Sequence, residues 1–305
     1  MRIAIALILC LFSPLSPAQL KVINVDTLSL GRERSWSQPR WSPDGKTIFY
    51  TASDFDGIWE YSPVGGKPVQ ITSDRGSGYG FTLSSDGARI AWRRTLSGVL
   101  PGERLQEAVV RNIAGGASSV LASGTSISLP SFVRSDVVFS VGNQMHGVTA
   151  GIQPAGSVSI LGIEETKIAI LRDGVKSLID PLGNGSYVWP SLSPDGSKLV
   201  ACETDRGTFV SDAVGGHAVR IGRRDAPAWT RDGRWLIYMA DSDDGHAIRS
   251  SEIAYVSPDG NMSGNLTSTS HTIEMYPQCS PVSDAILCST LGGEILVITY
   301  SEATR

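Results

Sequence analysis

The sequence predicts an all-β fold, a six-bladed β-propeller built from four-stranded antiparallel blades. Three observations predict it. A turn-like segment recurs at Trp41–Lys46, Leu83–Ala88, Leu192–Ser197 and Trp229–Arg234, each time around an Asp-Gly pair. Six repeat units align on Trp41, Leu83, Phe132, Leu192, Trp229 and Cys279, with steps of 42, 49, 60, 37 and 50 residues. Those steps are the period of propeller blades, not of helical solenoids, because the content between them is strand-like. The chain is 41% hydrophobic and 18% charged with 33 glycines in 305 residues, a globular, turn-rich composition.

The elements follow in chain order. Arg2 precedes an apolar run, Ile3–Phe12, that is too short to span a bilayer, and Ser16-Pro17-Ala18 supply the small residues of a cleavage site. Residues 1–18 are therefore expected to be a signal peptide, and residues 19–305 a single propeller domain. Leu9 stands before Cys10 where a lipobox requires a small residue, so no lipid anchor is expected.

Leu20–Leu30 alternates apolar residues and is a strand without a partner in its own unit. Units beginning at Gln38, Tyr79, Leu129, Trp189, Ala226 and Tyr276 then each start with two β runs, A and B, joined by the recurrent turn. A second hairpin, C and D, follows in Gly57–Thr72, Glu107–Ser123, Lys167–Gly183, Gly207–Gly222 and Ser251–Thr267. The last unit ends after strand C, so the N-terminal strand is expected to join it and close the ring, removing two sheet edges. The 60-residue step between the third and fourth units is assigned to an irregular insertion around Gly147–Ile163, since two complete blades would need about 80 residues.

The recurrent turn itself reads as structure. Pro43 presets φ, Asp44 binds nearby backbone N–H groups and Gly45 takes positive φ. Ser257-Pro258-Asp259-Gly260 repeats the tetrapeptide in a predicted C–D hairpin, away from the place it holds in the other units.

The segment from Pro39 to Ile48 (P-R-W-S-P-D-G-K-T-I), followed by a hairpin ending Gly65 to Thr72 (G-G-K-P-V-Q-I-T), resembles the TolB-type six-bladed propeller with WD-like repeats. The resemblance covers nearly the whole of residues 19–305; units one, four and five match best and unit three least. The first unit begins at Gln38, so the α/β domain that precedes the propeller in full-length TolB proteins is not expected. The resemblance implies a periplasmic or secreted protein that binds a peptide segment of an envelope protein.

Chemistry-bearing motifs are sparse. No G-x-S-x-G elbow occurs, and His146, His217, His246 and His271 are scattered; no catalytic residue, cofactor or metal is assigned. Asp241–Gly245 partly resembles a calcium loop, but Gly245 stands where a ligand is required. Cys202, Cys279 and Cys288 are an odd set without a C-x-x-C, and their pairing is left open. The formal net charge of −4 argues against nucleic acid as partner, and no later segment is apolar enough to span a membrane.

The loops D–A and B–C of a propeller share one face around the channel mouth. There the sequence places Arg75, Tyr79, Arg93, Arg94, Tyr187, Arg206, Arg223, Arg224, His246 and Arg249, and Arg and Tyr are common interface anchors. The expected function is a monomeric protein-binding scaffold with the partner segment docked on that face. The alternative is a propeller enzyme, a lyase, lactonase or hydrolase acting on a small extracellular substrate. A carbohydrate-binding module would need Tyr79 and Tyr187 to form a platform.

Overall fold

The computed structural model describes residues 19–31, 33–96, 104–147 and 155–303. The expected signal peptide, residues 1–18, lies outside the described residues. Among these there is no helix long and apolar enough to cross a membrane.

Among the described residues, twenty-six strands form seven sheets. Strand β1 (Gln19–Thr27) belongs to the last of them. The first blade is β2 (Trp36–Trp41), β3 (Ile48–Ala52), β4 (Ile58–Tyr61) and β5 (Val69–Thr72). The second is β6 (Thr82–Leu83), β7 (Arg89–Thr95), β8 (Gln106–Asn112) and β9 (Ser119–Gly124). The third is β10 (Ser131–Val133), β11 (Asp136–Val141) and β12 (Gln144–His146); the fourth is β13 (Val158–Glu164), β14 (Lys167–Arg172) and β15 (Val175–Ile179). The fifth is β16 (Tyr187–Leu192), β17 (Lys198–Glu203), β18 (Gly207–Asp212) and β19 (Val219–Gly222). The sixth is β20 (Asp225–Trp229), β21 (Leu236–Asp243), β22 (Ile248–Val256) and β23 (Ser263–Asn265). The seventh is β24 (Glu274–Cys279), β25 (Ala285–Thr290) and β26 (Ile295–Ala303), with β1 as its outer strand.

The six-bladed expectation is therefore overturned: the propeller has seven blades. The extra blade sits inside the 60-residue step, where an insertion was expected. Lys167–Gly183, read as the C–D hairpin of the third unit, is instead β14 and β15 of a separate blade whose inner strand is β13. Two blades fit in this space because each is three-stranded among the described residues and their turns are minimal. Glu165 and Thr166 alone join β13 to β14, with φ of 49° and 66°, and Asp173-Gly174 joins β14 to β15 with φ of 52° and 77°. Two successive left-handed residues make the tight hairpin that follows the strand twist. The fourth blade thus has no Ser-Pro-Asp-Gly turn, and the repeat count passes over it.

Packing gives the same number independently. The buried apolar residues fall into seven clusters, one at each seam between neighbouring blades. Second strands such as β3, β17 and β25 are covered on both faces by adjacent blades and read as continuous apolar runs. The ring closes where expected. β1 pairs antiparallel with β26 from Gln19↔Ala303 to Thr27↔Leu296, and Leu20, 3% exposed, packs in the cluster with Trp235, Ile253, Ile298 and Tyr300.

The recurrent turn is structural in detail. Ser42 Oγ donates to Asp44 Oδ1 at 2.6 Å and accepts the Thr47 N–H at 2.9 Å, while Asp44 accepts the Lys46 N–H at 3.1 Å. Ser84–Asp86, Ser193–Asp195, Thr230–Asp232 and Ser257–Asp259 repeat the arrangement. The last lies between strands C and D, so the motif marks a turn and not a place on the channel.

Candidate functional site: the channel and its mouth

Four inner strands break register at one repeat position. Gln38, Trp189, Ala226 and Tyr276 have φ between 47° and 56°, and each precedes a proline. Pairing skips the two residues between Ser37 and Arg40, Val188 and Ser191, Asp225 and Ala228, and Met275 and Gln278. Proline has no N–H to give the ladder, so the strand bulges there, and a bulge re-aims its side chain. The left-handed conformation costs a residue with a Cβ about 1–2 kcal/mol. Gly80, at φ 73°, holds the same position in the second blade without that cost.

Inner strands start from the D–A loops, so the bulges stand near the mouth shared with the B–C loops. Trp189 is 40% exposed there, and Tyr79, beside Gly80, is 52% exposed. Tyr79 is braced edge-to-face by Phe55, with ring centroids 5.3 Å apart.

Two residues beyond each bulge, Arg40, Thr82, Ser131, Ser191, Ala228 and Gln278 occupy equivalent register positions, opposite Phe49, Ala91, Val138, Val200, Ile237 and Leu287. Ser191, Ala228 and Gln278 line a cleft of about 320 Å³ between the fifth, sixth and seventh blades. One step further the repeat tryptophans tie the ring together. Trp41 Nε1 donates to the Gln278 carbonyl and Trp229 Nε1 to the Ser191 carbonyl, both at 3.3 Å, and the Cys279 thiol reaches the Ala228 carbonyl at 3.7 Å. Each bond joins the inner strands of two neighbouring blades. Cys202, Cys279 and Cys288 are free thiols.

All ten residues expected at the loop face lie on the D–A/B–C side of the topology, but most of their charges are already matched. Arg94 binds Asp74 at 3.2 Å and Glu107 at 2.7 Å. Arg206 binds Glu203 at 3.1 Å and the Leu182 carbonyl at 2.7 Å. Arg249 Nε donates to Asp244 at 2.7 Å, and Arg93 donates to the Ile127 carbonyl at 2.7 Å. Arg224 lies over the Tyr238 ring at 4.8 Å. Arg75 and Arg223 remain exposed, the latter 3.8 Å from Asp225. Tyr187 is 1% exposed, its hydroxyl donating to Asp180 at 2.6 Å and accepting the Leu182 N–H at 2.9 Å. It is a core anchor, so the Tyr79–Tyr187 platform does not form.

The residues that the sequence reading missed are acidic. Burial, and then the neighbouring Asp241, push the Asp225 carboxyl up to about 6. Burial, and then Glu252, raise Glu274 to about 7. Thr269 joins this second pair: its N–H donates to Glu252 Oε1 at 2.7 Å, and its hydroxyl lies 3.2 Å from Glu274 Oε1. The Oε2 atoms of both glutamates are buried without a partner. By contrast, Glu203 is held down at about 2, burial being outweighed by Arg206 and two backbone N–H groups.

The histidines do not converge. His146 stacks on Phe139, His217 sits beside Asp212 on the opposite face, and His246 and His271 are exposed. Among the described residues no three His, Cys, Asp or Glu side chains gather to hold a metal ion.

No protein-family model matches the sequence, and no curated protein matches it. Solved structures do. TolB from Acinetobacter baumannii is 17% identical with a TM-score of 0.57, covering 82% of this chain and 58% of that one. This chain therefore spans less than two thirds of that protein's length. Oligogalacturonate lyase from Vibrio parahaemolyticus is 14% identical with a TM-score of 0.50, over 88% and 79% of the two chains. The Cps50 (Swd1) propeller domain of Myceliophteria thermophila is 9% identical with a TM-score of 0.57, over 93% and 100%. At these identities the likeness is one of fold, and the chain is a seven-bladed β-propeller.

Proposed function

We propose that this chain is a periplasmic or secreted scaffold that docks a segment of a partner protein on the D–A/B–C mouth of its channel. The observation that carries the reading is the set of strained bulges. Gln38, Trp189, Ala226 and Tyr276 share one left-handed, pre-proline position on four inner strands, and strain of this kind gathers at ligand clamps. It sets Trp189 and Tyr276 on a rim that Tyr79 joins from the second blade. Rigid aromatic anchors of this type dominate the energetics of protein interfaces. Exposed Arg75 adds a positive charge without an acid partner at the same rim, and exposed Arg223, 3.8 Å from Asp225, adds a second guanidinium. The TolB-like fold supports the reading by analogy of fold alone.

The test is crosslinking in intact cells followed by mass spectrometry. The double variant Tyr79→Ala/Trp189→Ala is expected to lose the captured partner at least tenfold, the scale of one interface hot spot. An unchanged set of crosslinked proteins sinks the reading.

A second reading, an enzyme acting on a small substrate, is favoured by the Asp225–Asp241 and Glu252–Glu274 pairs. Asp225 and Glu274, each raised toward neutrality by burial and a neighbouring carboxylate, suit acid–base chemistry, and an oligogalacturonate lyase shares the fold. Release of an unsaturated product from oligogalacturonate, abolished in Glu274→Gln, would select this reading over the first.

A further inference from the structure

Arg40 stands apart from the other arginines of the propeller. It lies on β2 at the register position that Ser191, Ala228 and Gln278 hold on their own inner strands, and those three line the channel cleft. Its guanidinium sits over the Phe81 ring of the next blade at 5.1 Å. Among the described residues no carboxylate and no carbonyl pairs with it. The contrast is with Arg94, Arg206 and Arg249 at the mouth, and with Arg231 at the far end of the same cleft, which binds Asp284 at 2.9 Å. Burial lowers the pKa of Arg40, and no nearby acid opposes that, yet a guanidinium stays protonated in proteins. The residue is partly exposed, so its unmatched charge is open to a ligand.

A second group in the same ring is also unmatched. Ser191 Oγ is buried and has no hydrogen-bond partner. Gln278 leaves its side-chain amide exposed. The remaining members, Thr82, Ser131 and Ala228, bring no negative charge. These six register positions thus hold one positive charge without an acid partner, among several polar side chains.

We propose that the throat of the channel binds a carboxylate, with Arg40 as the cationic anchor and Ser191 and Gln278 as hydrogen-bond donors. A single guanidinium fork matches a single carboxylate in charge and in its two-oxygen geometry. The carboxylate has two sources, a small free acid or the end of an inserted protein segment. The site exists without a partner protein, so it stands or falls separately from the docking at the mouth.

Calorimetric titration distinguishes these cases. The probes are succinate against succinamide, and an extended hexapeptide with a free C-terminus against its amidated form. Saturable binding of either carboxylate by the wild type, at least tenfold weaker in Arg40→Gln and absent for the uncharged analogue, is the expected result. Binding of succinate assigns the site to small acids; binding of the free peptide alone assigns it to a protein terminus. Arg40→Gln is expected to melt close to the wild type without ligand, because removing a charge that has no acid partner offsets the lost contact with the Phe81 ring. If neither carboxylate binds the wild type, or if Arg40→Gln binds as tightly, the proposal is wrong. A lower melting temperature with unchanged succinate binding gives Arg40 a packing role and overturns it equally.

Discussion

Glu274 is buried at 1% exposure, yet its Oε2 has no partner, and the Oε2 of Glu252, a partly buried residue beside it, has none either. Two carboxylates so placed cannot both ionise cheaply. The folded protein therefore holds the Glu274 proton to about 7, above the ordinary 4.5. The stabilisation from this group is whole below about 4.5 and is lost as pH rises through about 7. Replacing Glu274 by Gln keeps the shape and removes the titration. Urea unfolding of Glu274→Gln should give a stability curve that no longer declines between about pH 5 and 8. At about pH 8 the variant should exceed the wild type by roughly 1–3 kcal/mol, since each tenfold change in proton affinity on folding is worth about 1.4 kcal/mol. A decline of the wild-type size in the variant would show that Glu274 ionises normally. None of this was legible in the sequence, where Glu274 merely precedes Met-Tyr-Pro and its partner is 22 residues earlier on another blade.

The inner strands show what the sequence does carry at the scale of an element. Strand order within blades, the Ser-Pro-Asp-Gly turns and the closing role of β1 follow from alternation and turn chemistry. The signal for the bulges was present too, as the aligned pairs Gln38-Pro39, Trp189-Pro190, Ala226-Pro227 and Tyr276-Pro277. Proline beside a strand start is also compatible with an edge, and only the register shows two residues looped out. The fourth blade was illegible for a different reason: its two-residue turns leave no motif. The sequence assigns these arginines to the D–A and B–C loop ends, but their pairing with Asp74, Glu203 and Asp244 depends on neighbouring strands and loops. The bulge has a clean test at Ala226, whose φ is 47° and whose side chain is a single methyl. Ala226→Gly should raise stability by about 0.5–1 kcal/mol, since glycine adopts this conformation freely. Ala226→Val should lower it by about 1–3 kcal/mol, because a β-branched residue is an outlier there. Equal melting temperatures for all three proteins would mean that the bulge stores no strain.

The molecule as a whole is a ring of seven seams, and each seam is a separate apolar cluster. Six of the blades are continuous in sequence, whereas the seventh is completed only by β1, from the opposite end of the chain. The geometry of the mouth is tied to that closure, because β2 and β24, each carrying a bulge, are neighbours across the seam between the first and last blades. Trp41 binds the Gln278 carbonyl across it. Leu20 is the deepest side chain that β1 contributes, so Leu20→Ala should cost about 2–4 kcal/mol. Removing residues 19–27 should do more than add to that loss. It bares the whole edge of β26, and an exposed edge recruits other strands. The truncated chain is expected to unfold in a broad transition without the cooperativity of the intact ring, and to self-associate in sedimentation. A truncated monomer that melts sharply at the wild-type temperature would mean that the other six blades hold the ring without the terminal strand. The rigid mouth would then owe nothing to closure, and the sheet ladder from Gln19 to Thr27 would be a covering rather than a clasp.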